Sequence, residues 1–158
     1  MYDNAIVQTA RSRVLIAAVP AAAVRLRRIL CAHAPVAVQT LQDAQDALSR
    51  ERFSLVVLGV YFDESRMFDV MSYARASALN REVPIVCVLG VRGKLSDATV
   101  RMLREIIETM SACEFLNLVA IPDDDAGNAR VLSRLARHLA PPPLPIPVQP
   151  SAPLTPSP

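Results

Sequence analysis

Glycine is scarce in this chain, with four among 158 residues. None falls in a Gly-x-Gly-x-x-Gly or Gly-Lys-Ser/Thr string, so neither a dinucleotide fingerprint nor a P-loop is present to bring backbone amides against phosphates. Aromatic residues are also few and tryptophan is absent, which removes the stacking platform that single-stranded nucleic acid needs. A net charge of +2 is too small to argue for nucleic acid as a partner. Histidine occurs twice, as His33 and His138 near the ends of two different helical patterns. No Ser or Cys arrangement accompanies either, so no catalytic residue is assigned.

Cysteine is limited to Cys31, Cys87 and Cys113. An odd, widely spaced set without a Cys-x-x-Cys or His/Cys cluster indicates neither a disulfide framework nor a zinc site, and no metal ligand is assigned. That usage favours a reducing compartment, so a cytoplasmic location is expected. No apolar run approaches the roughly 20 residues that cross a bilayer, and no membrane partner is expected. One stretch imitates an export signal: Arg11 and Arg13 precede Val14 to Val19, and Ala21-Ala22-Ala23 resembles a cleavage site. Asp3 in the would-be basic leader, the shortness of the run and the break at Pro20 argue against it.

What remains is rich in apolar residues, 52% against 20% charged, as a folded soluble domain requires. Short apolar runs alternate with helical patterns, which predicts βα units and a parallel sheet covered on both faces. Val14 to Val19 is apolar on successive residues, like a strand buried on both sides. Pro20 then opens a helix, with Ala22, Leu26, Ile29, Leu30 and His33 on one stripe and Arg25, Arg27 and Arg28 pointing elsewhere. Pro35 closes it. Val36 to Leu41 reads as a second strand and Asp43 to Arg50 as a short helix. Leu55 to Leu58, ending at Gly59, is the strongest strand.

A helix from about Ser65 to Ala78 follows, with Phe68, Met71, Tyr73 and Ala74 as packing candidates. Pro84 to Leu89 is a fourth strand, stopped by Gly90 and Gly93. Ser96 caps a helix carrying Val100, Leu103, Ile106, Ile107 and Met110 at three- and four-residue spacing. Phe115 to Ile121 reads as the fifth strand, and Pro122 and Asp123 start a last helix with Val131, Leu132, Leu135 and Leu139. Residues 1–10 are an N-terminal extension, 11–140 a single domain, and 141–158 a tail. The tail holds nine of the thirteen prolines and no charged or aromatic residue. Such a segment is expected to stay unpacked as polyproline II, reaching on the order of 50 Å.

Several strings resemble the response-regulator receiver (CheY-like) family. Arg13-Val14-Leu15-Ile16, Pro20 and Leu26-Arg27-Arg28-Ile29-Leu30 are similar to its first strand and helix. Ala47-Leu48 and Phe53 to Leu58 are similar to its second helix running into the third strand. Phe68, Arg75 and Arg81 to Pro84 before Ile85-Val86 match the next helix and fourth strand. The resemblance covers roughly residues 11 to 140. It implies an α/β, flavodoxin-like, doubly wound fold: a five-stranded parallel sheet of order 2-1-3-4-5 with helices on both faces.

It also implies a phosphorylation pocket at the carboxyl ends of the strands. The two acids that hold Mg²⁺ after the first strand match Ala17 and Ala18, with Val19 next in line. The phosphoacceptor aspartate matches Gly59. The switch Ser or Thr matches Leu89, or its neighbour Gly90, and the lysine before a proline matches Ile121. Aspartyl phosphorylation needs a carboxylate nucleophile and a metal to neutralise the phosphoryl oxygens, and Mg²⁺ wants hard oxygen ligands. Ala, Ala, Gly, Leu and Ile supply none of these. The expectation is a phosphorylation-independent pseudo-receiver that is no enzyme, takes no cofactor, and works through a protein partner, either a second copy or another signalling protein.

Other chemistry-bearing features have simpler readings. Asp63 and Glu64 past Gly59 read as a solvated loop, although Asp63 could serve a receiver whose acceptor is relocated. Asp123-Asp124-Asp125 reads as a helix cap and dipole complement. Gly90 to Lys94 reads as a turn, and Pro142 to Pro145 as one PxxP string among many prolines. Arg101, Arg104, Arg130, Arg134 and Arg137 form a candidate interaction face, because receivers commonly dock or dimerise through the fourth helix, fifth strand and fifth helix. A deep polar cavity at the strand ends would instead favour an unrelated flavodoxin-like ligand-binding domain.

Overall fold

The computed structural model describes residues 12–110 and 113–139. The expected N-terminal extension and the proline-rich tail lie outside the described residues. Five strands alternate with five helices: β1 Val14–Ala17, α1 Pro20–Ile29, β2 Pro35–Val38, α2 Leu41–Arg50, β3 Leu55–Gly59, α3 Met67–Ala76, β4 Ile85–Leu89, α4 Asp97–Thr109, β5 Cys113–Asn117 and α5 Asp125–Leu139. All neighbours pair in parallel, in the order β2-β1-β3-β4-β5. Val14 lies opposite Leu55, Val57 opposite Val86 and Leu89 opposite Asn117. The expected flavodoxin-like sheet is therefore present.

Successive strand residues point to opposite faces, and the sequence makes both faces apolar. Leu15, Ala17, Val56, Leu58, Ile85 and Cys87 share a core with Ala44 and Leu48 of α2, Met67, Val70, Met71 and Ala74 of α3, and Ile107 of α4. Val14, Ile16, Leu55, Val57, Val86 and Val88 share the other with Ala22, Ala23, Leu26 and Ile29 of α1 and Val131 and Leu135 of α5. Each large side chain removed from water this way contributes about 1.5–3 kcal/mol.

The helix starts follow local chemistry. Pro20 occupies the first turn of α1. Thr40 and Ser96 cap α2 and α4 by accepting the amides of Asp43 and Thr99 at 3.1 and 3.2 Å. In the acidic run before α5 the roles divide: Asp124 Oδ1 accepts the Gly127 amide at 2.7 Å, whereas Asp123 turns back to pair with Arg28 of α1 at 2.7 Å.

Several expected bounds shift. The first helix ends at Ile29, and a short 3₁₀ turn, Cys31–His33, leads to Ala34 in the left-handed region. Pro35 begins β2 rather than merely ending the helix, which an edge strand tolerates at its first residue. The second strand stops at Val38, because Leu41 already belongs to α2. The fifth strand runs from Cys113 to Asn117 instead of Phe115 to Ile121. Past Asn117 the apolar run bends under α1: the Leu118 and Val119 amides both donate to Leu89 O, and Leu118 is buried.

Arg25 fixes that bend. Its nearly buried guanidinium donates to the carbonyls of Leu118, Ile121 and Pro122 at 2.9–3.0 Å and to Asn128 Oδ1 at 3.0 Å. A planar fork with five donors suits a cluster of converging carbonyls in a way an ammonium does not.

Two packing expectations are corrected as well. Phe68 is 39% exposed, while Met67 and Val70 take the inner positions of α3. On α4 only Ile107 is buried, and Ile106 is 43% exposed. Four-residue spacing aligned Met102, Ile106 and Met110 along one flank, but α4 rests on the sheet through the neighbouring Ile107 row, so that flank stays in solvent.

Candidate functional site

The carboxyl ends of β1, β3 and β4 converge where the strand order reverses, the place at which doubly wound sheets bind ligands. Here that place is filled. Ala17, the last residue of β1, and Ala18 after it are fully buried, and Leu89 is buried at the end of β4. Ala17, Leu58 and Leu89 join one continuous core with Val60 and Phe62 from the β3–α3 loop. Ile121 sits beyond the end of β5, half-buried against the opposite core; the residue that ends β5 across from Leu89 is Asn117. Asn117 Oδ1 accepts the Ala120 amide at 3.3 Å and so closes the turn.

Distances show how tightly the strand ends have closed. A Cβ placed on Gly59 would lie 3.1 Å from Ala18 Cα and 3.2 Å from Ala18 Cβ. One placed on Gly90 would lie 2.4 Å from Ala22 Cβ, so α1 also leans on the β4–α4 loop. Over Gly93 lies the ring of Tyr61, whose hydroxyl and ring carbon would fall 2.0 and 2.1 Å from an added Cβ. The Leu95 amide reaches that hydroxyl at 3.5 Å. Small residues on three strands and loops thus let backbone and a tyrosine occupy what an acid-lined cleft would leave open.

The donor set does not fit Mg²⁺. Ala17, Ala18, Gly59 and Leu89 carry no oxygen ligand on their side chains. Among the described residues no group of three or more His, Cys, Asp or Glu gathers anywhere. Among the described residues, cavities of about 280, 390, 400 and 580 Å³ lie elsewhere and are not lined by these positions.

Asp63, the candidate relocated acceptor, is engaged differently. Its Oδ2 accepts the Leu41 amide at 2.8 Å, at the first residue of α2, where an orphan N–H and the helix dipole both favour a carboxylate. Asp63, Glu64 and Ser65 have φ of 40°, 58° and 66°. Each non-glycine residue held there costs roughly 1 kcal/mol, and the Arg66 amide closes the turn onto Phe62 O at 2.8 Å. Glu64 is exposed.

The five arginines of the candidate face do not act alike. Arg104 lies over the Phe115 ring at 5.3 Å. Arg134 pairs with Glu114 of β5, and His138 Nε2 meets the other Glu114 oxygen at 2.6 Å. Arg101, Arg130 and Arg137 remain exposed. Burial by itself would raise the Glu114 carboxyl; hydrogen bonds from His138 and Arg134, together with their charges, outweigh it and hold the carboxyl below the ordinary range. With the folded value lowered, this stabilisation is present above the ordinary glutamate value near 4.5 and is lost as pH falls through the folded one. Glu114→Gln is expected to flatten the acid limb of a melting-temperature-against-pH curve. An acid limb unchanged by the substitution would contradict the pairing.

The cysteines are free. Burial, then the nearby Cys113, pushes the Cys87 thiol up to about 12, so it stays an unreactive core group. Burial also raises Cys113, against the opposing charge and hydrogen bond of Arg75. Among the described residues no helix is long and apolar enough to cross a membrane.

No family model and no curated protein matches the sequence. Solved structures do. A response regulator from Hahella chejuensis superposes with a TM-score of 0.60 at 18% identity, over 81% of this chain and 95% of that one. The receiver domain of a sensor histidine kinase from Pseudomonas aeruginosa, which has magnesium coordinated in its active-site cleft, superposes with a TM-score of 0.54 at 15% identity, over 79% and 96%. Sheet order, helical layers and these likenesses together show that the chain has the fold of a response-regulator receiver domain.

Proposed function

We propose that the chain is a pseudo-receiver: a signalling module that keeps the receiver fold, does without phosphorylation, and acts by binding a protein partner. One observation carries the reading, the 3.1 Å approach of Ala18 Cα to the space a Gly59 side chain would need. A receiver that holds magnesium in an acid cleft keeps that space for carboxylates; this chain gives it to backbone and alanine. With no nucleophile and no metal ligand among Ala17, Ala18, Gly59 and Leu89, phosphoryl chemistry at these strand ends has no starting point.

The surface supports a binding role. Arg101, Arg130 and Arg137 are exposed cations on α4 and α5, with Arg104 and Arg134 anchored between them on β5. Arginine is favoured at protein interfaces. The partner is a protein, either another signalling component or a second copy, and the setting proposed is the cytoplasm. Treatment of the full chain with acetyl phosphate and Mg²⁺ is expected to leave its intact mass unchanged. A stoichiometric, hydroxylamine-labile phosphoryl adduct, on Asp63 above all, would overturn the reading.

A further inference from the structure

Among the described residues, a cavity of about 580 Å³ lies not at the strand ends but at the amino-terminal edge of the sheet. Its walls come from the β3 entry (Arg52, Phe53), the loop before β4 (Leu79, Arg81, Pro84) and the last residue of α5, Leu139. Leu139 decides the matter, because it is where the described domain hands over to the proline-rich segment. The chain leaves α5 on the lip of this cavity.

The chemistry of the two parts is complementary. Leu79 is 39% exposed although it is a large apolar side chain beside the half-buried Pro84. Arg52 and Arg81 are exposed, and among the described residues neither forms an ion pair. The continuation Pro141-Pro142-Pro143-Leu144-Pro145 brings apolar rings, one leucine and no charge. Its prolines have no N–H to satisfy. In polyproline II the carbonyls are not bonded internally and so are open to donors. The cavity offers two guanidinium forks, the Glu82 carboxylate and the apolar side chains of Leu79, Pro84 and Leu139 to a ligand whose one backbone donor is the Leu144 amide and whose remaining surface is apolar or accepting.

We propose that this edge cavity is the docking site of the chain's own residues 141–145, laid down as polyproline II with Leu144 against Leu79 and backbone carbonyls accepting from Arg52 and Arg81. Leu144 lies five residues past Leu139, on the order of 15 Å of such a helix, so the docking is local and intramolecular. While docked, the PxxP string is withheld from other proteins. The proposal is independent of whether the domain is phosphorylated.

The test is residue-resolved amide NMR on the full chain, comparing wild type, Leu79→Glu, and a variant with residues 141–145 all changed to serine. Leu79 is a surface position, so the fold is retained in its variant. The tail replacement is expected to shift amides of residues 52–54 and 79–83, far away in sequence. Leu79→Glu is expected to move the Leu144 amide to its random-coil position, and both effects should be independent of protein concentration. Unmoved amides at 52–54 and 79–83 would overturn the proposal. So would shifts centred on Phe68 and Met110, which would place the tail in the groove between α3 and α4. Shifts that grow with concentration would overturn it too, by assigning the tail to a second copy.

Discussion

Gly59→Asp, which returns a carboxylate to the end of β3, is expected to lower stability by about 3–5 kcal/mol and to restore no phosphorylation. Two costs add. The new Cβ meets Ala18 Cα at 3.1 Å and Ala18 Cβ at 3.2 Å, so the end of β1 must move, and overpacking of that kind costs about 1–3 kcal/mol. The carboxyl then points, like Val57 two residues earlier, to the sheet face that Ala18, Ala22 and Val88 line, where these neighbours offer it no charge. Burial without a partner raises its folded pKa above the unfolded value. The charge-related loss is therefore greatest at neutral pH and shrinks as pH falls toward the ordinary aspartate range. Gly59→Ala separates the terms, since it carries only the steric cost. Urea titrations of both variants at neutral and acid pH check this, and an aspartate variant as stable as wild type would show that the space is open after all.

Asn80→Ala is the second large effect, at about 3–4 kcal/mol. Asn80 is the one buried polar or charged residue among those described, and its amide is fully used. Nδ2 donates to Leu48 O at 2.8 Å and Glu51 O at 2.9 Å, which are carbonyls left over where α2 ends. Oδ1 accepts the Phe53 amide at 2.8 Å on the way into β3. Leu48 O keeps the Ser77 hydroxyl at 3.2 Å when Asn80 is lost, but the Phe53 amide and Glu51 O keep nothing equivalent. Leaving such groups unpaired is what makes the substitution expensive. Asn80→Asp should be worse, because its carboxylate would face the two carbonyls. A lowered urea midpoint with unchanged slope is the expected reading; a shift under about 1 kcal/mol would mean water replaces the amide.

What the chain's pattern revealed and what it hid follow from the range of the interactions. Continuous apolar runs at Val14, Leu55 and Ile85 mark strands buried on both faces, and nothing distant can change that. The loss of acids at Ala17, Ala18 and Gly59 is visible in the same way, as residue types at the ends of those runs. The role of Arg25 is not: on the helical pattern it belongs to the polar side of α1, and only the approach of the β5–α5 turn gives it four acceptors. Asn80 likewise sits in an unremarked loop, and its meaning comes from α2 and β3. The sequence pattern carries β5 on to Ile121 because Leu118 to Ile121 is as apolar as a strand, yet Leu118 is buried by bending beneath α1. On α4 the apolar spacing was real, but an exposed flank carries the same spacing as an inner one. Tyr61, which covers Gly93 beside the strand ends, could have been noticed as an aromatic two residues past Gly59, although nothing local gives its direction.

The most direct measurement of the central claim is amide NMR of the full chain titrated with beryllofluoride and Mg²⁺, a pair that mimics an aspartyl phosphate wherever a carboxylate and a metal site exist. With Ala18 against Gly59 and no ligand for the metal, the spectrum is predicted to stay unchanged to saturating concentrations. Saturable shifts at Gly59, Leu89 and Gly90 would contradict the account, since they would require an acid-lined, metal-binding pocket where the structure has a closed apolar one.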